Sequence, residues 1–124
     1  MALKDKKKIL VVDDEDDLVS TVASTLEDSG YEVITAKTGP EGLKKARTDR
    51  PDLILLDIMM PRVDGYQVLT KLKRNEKVSY IPVVMITAKR ETSSILKTQE
   101  KGATDYLIKP FNAEQLVGLV QRYV

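Results

Sequence analysis

Five side chains able to do chemistry stand at the ends of apolar runs: Asp13, Asp14, Asp57, Thr87 and Lys109. Asp57 closes Leu53-Ile54-Leu55-Leu56, and Asp13 and Asp14 close Ile9-Leu10-Val11-Val12. Thr87 follows Ile81 to Ile86, and Lys109 ends Asp105-Tyr106-Leu107-Ile108. Three carboxylates gathered in one crevice repel one another strongly at low dielectric, so they require counter-charge. Lys109 supplies one positive charge and a divalent cation two. An all-oxygen ligand set without histidine or cysteine favours a hard ion, Mg²⁺ first and Mn²⁺ second. Mg²⁺ commonly takes one or two carboxylates together with phosphate oxygens. That leaves one carboxylate as a nucleophile, and aspartate is known to form acyl phosphates. Phosphoryl transfer asks chiefly for alignment and charge neutralisation. Asp57 is therefore the candidate phosphoryl acceptor, with Lys109 neutralising the transferring group and the Thr87 hydroxyl bonding one of its oxygens.

The elements that must position these groups are legible as alternating short apolar runs and helical patterns. Fully apolar runs this short predict strands buried on both faces at Ile9–Val12 and Leu53–Leu56. Tyr31–Ala36 alternates and is rich in β-branched residues, Ile81–Thr87 is apolar with Pro82 near its start, and Asp105–Lys109 is short and closed by Pro110. Between them, Leu18, Val19, Val22 and Leu26 recur at helical spacing before Gly30, a C-terminal cap. Thr38-Gly39-Pro40 opens a second helix, with Leu43 and Ala46 on its inner side. Val68, Leu69 and Leu72 mark a third after the turn signal Asp64-Gly65, and Glu91 to Lys101 a fourth, thinly apolar one that stops at Gly102. Asn112 with Gln115 forms a capping-box pattern ahead of a fifth helix whose inner stripe is Leu116, Val117, Leu119, Val120 and Tyr123.

A β-α unit repeated five times predicts an α/β fold with a parallel sheet covered on both faces and right-handed crossovers. In the flavodoxin-like strand order 2-1-3-4-5, the first and third strands are neighbours at the switch point, which brings Asp13, Asp14 and Asp57 together. The expectation is one domain over residues 1–124, a size that supports a core without disulfides or structural metal.

Composition narrows the chemistry. There are no cysteines and no histidines. This excludes thiol nucleophiles, Ser-His and Cys-His catalysis, and histidine metal ligands. The absence of cysteine also suits a reducing, cytoplasmic setting. Lys+Arg number 20 and Asp+Glu 19, a formal net charge of +1, so electrostatics make no case for nucleic acid or an anionic membrane. The basic run Lys4-Asp5-Lys6-Lys7-Lys8 precedes an apolar stretch too short for a signal peptide or membrane span and reads as a solvated leader.

Read together, these residues resemble the receiver domains of two-component response regulators, chemotaxis regulators among them. The resemblance runs from Ile9 to Tyr123. It rests on Val12-Asp13-Asp14, on Leu56-Asp57-Ile58-Met59-Met60-Pro61 with Asp64-Gly65, on Ile86-Thr87-Ala88 and on Lys109-Pro110-Phe111. Each motif alone is weak; their order at successive strand ends is specific. The resemblance implies that Asp57 accepts a phosphoryl group from a phosphohistidine on a sensor histidine kinase or histidine phosphotransfer protein. It implies Mg²⁺ held by Asp14, Asp57 and the backbone carbonyl of Met59, with Asp13 acting mainly through water. Thr87 and Lys109 would contact the phosphoryl group. Thr87 and Tyr106 would move together and remodel the face of the fourth helix, fifth strand and fifth helix, which controls an effector protein or output domain. It further implies a cis Lys109–Pro110 bond, and dephosphorylation tuned by Met59 and Lys89. Such a domain is a phosphoacceptor switch and not an enzyme, beyond self-phosphorylation from small donors and autodephosphorylation. Val63 departs from the family, which often carries methionine there.

Blander readings exist for each residue. Asp13 and Asp14, like Asp16 and Asp17, suit the first turn of a helix. Thr87 and Lys109 alone read as a strand-end hydroxyl and a surface lysine, and Tyr106 as an edge-of-core aromatic. Met59, Met60 and Met85 read as packing, and Lys71, Lys73 and Arg74 as a solvated helix end. All the site residues would have to be bland at once. Among other functions, a haloacid-dehalogenase-type phosphatase also uses an aspartyl nucleophile, but its second aspartate would fall at Met59. Nucleotide binding lacks a glycine-rich phosphate loop. A receiver-like module that is never phosphorylated is disfavoured by the completeness of the site.

Overall fold

The computed structural model describes residues 6–58, 65–88 and 102–124. The expected helix over 91–101 lies outside the described residues, as do Met59, Met60, Pro61, Val63, Asp64 and Lys89. The apolar runs form strands β1 (Lys8–Val12), β2 (Glu32–Ala36), β3 (Leu53–Asp57), β4 (Val83–Ala88) and β5 (Asp105–Lys109). The strands pair in parallel in the order β2-β1-β3-β4-β5, the flavodoxin-like order expected from the sequence. Four described helices cover the sheet: α1 (Asp16–Asp28), α2 (Gly39–Asp49), α3 (Gly65–Arg74) and α4 (Ala113–Gln121), the last being the fifth helix of the sequence pattern.

Strand alternation sends successive side chains to opposite faces, and each face has its own core. Leu10, Val12, Ile54, Leu56, Val83 and Met85 pack with Ala46 of α2 and with Val68, Leu69 and Leu72 of α3. Ile9, Val11, Leu53, Leu55, Val84 and Ile86 pack with Val22 and Leu26 of α1 and with Leu116, Leu119 and Val120 of α4. All five residues of β3 are buried, because the central strand is covered on both sides. Each such Leu or Ile contributes about 1.5–3 kcal/mol by burial. Truncating one to Ala costs about 2–5 kcal/mol, since the packed neighbours cannot close the cavity.

The helix ends follow their local chemistry. Thr38 caps α2, its hydroxyl accepting from the Glu41 N–H at 3.2 Å. Asn112 and Gln115 form the reciprocal capping box of α4. After α1 the chain turns through Gly30 at φ +96°, a conformation open to glycine without penalty. β4 begins at Val83, two residues later than the pattern indicated. Pro82 has no N–H to donate, although its carbonyl accepts from Ile54 N–H at 3.0 Å. Among the described residues no helix is long and apolar enough to cross a membrane.

Candidate functional site

Register places the chemical groups. Val12 pairs with Leu56, and Asp57 with Ile86, so Asp13 follows β1 beside Asp57 at the carboxyl edge of the sheet. Ala88 pairs with Lys109, two residues further along β4. By alternation Asp13 and Asp57 extend the rows of Val11 and Leu55, and Lys109 extends that of Leu107, all toward α1 and α4. Thr87 instead continues the row of Met85, and Tyr106 packs against the core under α2 and α3. The site therefore straddles the sheet edge: acids and lysine rise from one face, hydroxyl and tyrosine from the other.

Asp13, Asp14 and Asp57 each offer a carboxylate oxygen, and these oxygens lie within 4.8 Å of one another. Asp13 and Asp57 are buried and Asp14 is exposed. Lys109 Nζ stands 3.9 Å from Asp57 Oδ2. The Lys109–Pro110 bond is cis, as the resemblance implied. The Thr87 hydroxyl donates to the Ala88 carbonyl at 3.3 Å. Below the switch candidate, Asp105 Oδ1 accepts the Tyr106 N–H at 2.8 Å, and its Oδ2 accepts the Tyr123 hydroxyl at 2.6 Å.

Asp13 is fully buried, with Oδ1 accepting the Glu15 N–H at 3.0 Å and Oδ2 buried without a hydrogen-bond partner. Burial pushes its carboxyl above the ordinary value of 3.8; the Glu15 N–H, the Lys109 charge and Asp57 pull the other way, and Asp14 adds to the rise. An orphaned carboxylate oxygen inside a close acid triple is costly unless a cation meets it. Hard oxygen donors of this kind fit Mg²⁺. Met59, whose carbonyl was expected to join them, lies outside the described residues.

Two supporting residues were not singled out in the sequence. Glu15 lies next in line after Asp13-Asp14 and reads as one more helix-start acid, yet its Oε1 stands 3.9 Å from Lys109 Nζ. Gly65 reads as half of a turn signal, yet it packs directly on the backbone of Asp57. Beside the site, Leu18, Val22, Pro110, Phe111 and Leu116 line a groove of about 440 Å³ whose polar rim includes Glu15 and Lys109.

Known proteins resemble this chain in sequence and in fold. Residues 9–121 match the family described as the response regulator receiver domain. The alkaline phosphatase synthesis transcriptional regulatory protein PhoP of Bacillus subtilis is 49% identical over 110 residues, covering 89% of this chain and 45% of that protein. The DNA-binding dual master transcriptional regulator RpaA of Synechocystis is 40% identical over 114 residues, covering 92% of this chain and 47% of that protein. The chain thus spans about half the length of these curated relatives. Among solved structures, the Vibrio cholerae chemotaxis protein CheY4 superposes with TM-score 0.91 at 35% identity, over 97% of this chain and 100% of that one. The receiver domain of NtrX from Brucella abortus gives 0.86 at 35% identity, over 93% and 96%.

Proposed function

The chain belongs to the response regulator receiver domain family of two-component systems, and from that premise we propose that Asp57 is its phosphoryl acceptor. The observation that carries this reading is the pairing of Asp57 with Lys109 at 3.9 Å beside a buried, unpartnered Asp13 oxygen. An Asp57 carboxylate oxygen attacks the phosphorus of a phosphohistidine. The P–N bond breaks, its electron pair stays with the donor imidazole, and a P–O bond to Asp57 forms. Hydrolysis reverses the loading: water attacks phosphorus, inorganic phosphate leaves and the carboxylate returns. The donor histidine belongs to a sensor kinase or phosphotransfer protein, because this chain has none.

Each residue has a part. Asp14 and Asp57 would hold Mg²⁺ (Mn²⁺ second) with the Met59 carbonyl, Asp13 acting through water, and the ion supplies charge neutralisation for the phosphoryl oxygens. Lys109 pairs with the incoming group as a point charge. Thr87 turns its hydroxyl from the Ala88 carbonyl toward a phosphoryl oxygen. That movement opens space on the face where Tyr106 packs, and the added charge of about −2 shifts an existing inactive–active equilibrium. The altered surface around β5 and α4 then serves a downstream effector or output domain. In this reading the domain is a cytoplasmic switch, with no turnover of its own beyond self-phosphorylation and autodephosphorylation.

The test is incubation with acetyl phosphate and Mg²⁺, followed by intact-protein mass spectrometry. The wild type gains one phosphoryl group, and Asp57→Asn and metal-free samples gain none. Labelling that persists in Asp57→Asn removes Asp57 as acceptor.

A further inference from the structure

We infer that Glu15 is a positioning residue for this site: it shares Lys109 with Asp57 and holds the ammonium partly withdrawn until a phosphoryl group arrives. The inference rests on the reading of Asp57 as acceptor. Lys109 Nζ lies 3.9 Å from Asp57 Oδ2 and 3.9 Å from Glu15 Oε1. Both separations exceed hydrogen-bond length, so the ammonium sits between two anions and is committed to neither. The environments differ: the Asp57 side chain is 6% exposed and that of Glu15 62%. Water screens the Glu15 attraction more, and the balance tips easily.

A second observation points the same way. Glu15 is the N-cap of α1, with φ −90° and ψ 101°, yet its side chain makes no capping hydrogen bond. Ser, Thr, Asp or Asn at that position would accept from the first-turn N–H groups. The longer carboxylate forgoes this and reaches Lys109 instead. Its main chain still serves the site through the Glu15 N–H on Asp13. When Asp57 carries a phosphoryl group, the added negative charge at the buried end draws Lys109 across, and Glu15 is released to solvent beside the groove.

The experiment measures acetyl phosphate labelling rates and beryllofluoride affinity, read by tyrosine fluorescence, with Mg²⁺ present. The proteins are wild type, Glu15→Gln, Lys109→Met and the double variant. Glu15→Gln labels about two- to fivefold faster and binds beryllofluoride tighter by a similar factor, the scale of a partly exposed ion pair. Glu15→Asp, tested alongside, shifts in the same direction as Glu15→Gln because its shorter carboxylate caps the helix, and in the Lys109→Met background Glu15→Gln has no effect. A wild type that responds normally alongside an unchanged Glu15→Gln overturns the role of Glu15 and leaves Asp57 intact. So does a Glu15→Gln effect that survives in Lys109→Met. A wild type that neither labels nor binds beryllofluoride overturns both readings.

Discussion

Gly65 meets Asp57 backbone to backbone. A Cβ built on Gly65 would stand 2.5 Å from the Asp57 carbonyl oxygen and 2.7 Å from Ile58 Cα. Its N–H also donates to the Ile58 carbonyl at 2.8 Å. The first residue of α3 is thereby seated against the peptide that carries the candidate nucleophile, closer than any side chain allows.

Gly65→Ala should therefore be destabilising beyond the ordinary effect of a surface substitution. The clashing atoms are main chain and cannot rotate aside, so α3 or the end of β3 must shift. Overpacking of this kind costs about 1–3 kcal/mol. Urea denaturation would show the loss as a lowered midpoint with an unchanged slope. The Asp57 and Ile58 amide resonances should move even in the folded protein.

Asp13→Asn should stabilise the fold at neutral pH while weakening the site. The buried Asp13 carboxyl binds its proton more tightly folded than unfolded, chiefly through burial. The stability carried by its protonated form is present at low pH and is lost as pH rises through the raised folded value. At neutral pH the wild type bears a buried charge with one unpartnered oxygen. Removing that charge should raise stability by about 1–2 kcal/mol at pH 7. The advantage should shrink as pH falls toward 3.8, the ordinary carboxyl value. Thermal melts at both pH values check the sign, and the same variant should respond less to beryllofluoride with Mg²⁺.

Gly118→Ala should stabilise α4. Among the described residues a Cβ at Gly118 would meet nothing within 4 Å, and the residue lies inside the helix. No close approach among those residues requires glycine there. Replacing it removes unfolded-state freedom and should contribute about 0.5–1 kcal/mol. A raised denaturation midpoint with an unchanged labelling rate at Asp57 is the expected result. An unchanged or lowered midpoint would mean that the backbone freedom of Gly118 serves the folded state.

What was legible in the sequence was local. Short apolar runs ending in Asp14, Asp57, Thr87 and Lys109 announced strands with chemistry at one edge. Thr38 and Asn112 announced helix starts, because a cap acts within three residues of itself. The alternation of the two patterns implied a parallel sheet covered on both faces, and the flavodoxin-like order taken for it brought the three acids together. The start of β4 was less legible, because Ile81 is buried before the strand begins, in a loop that burial alone does not distinguish from a strand.

The amino-acid sequence by itself determined the described strands and helices, the sheet edge on which the acids, hydroxyl and lysine fall, and the exclusion of histidine or thiol chemistry. Only the tertiary structure decided that Asp13 is buried with an oxygen left over, that Lys109 stands equally far from Asp57 and Glu15, and that Gly65 seats α3 on the Asp57 backbone. The physical reason is range. Periodicity and capping act over a few residues of chain, whereas Asp13, Asp57 and Lys109 meet only through parallel register and helix docking across long sequence separations.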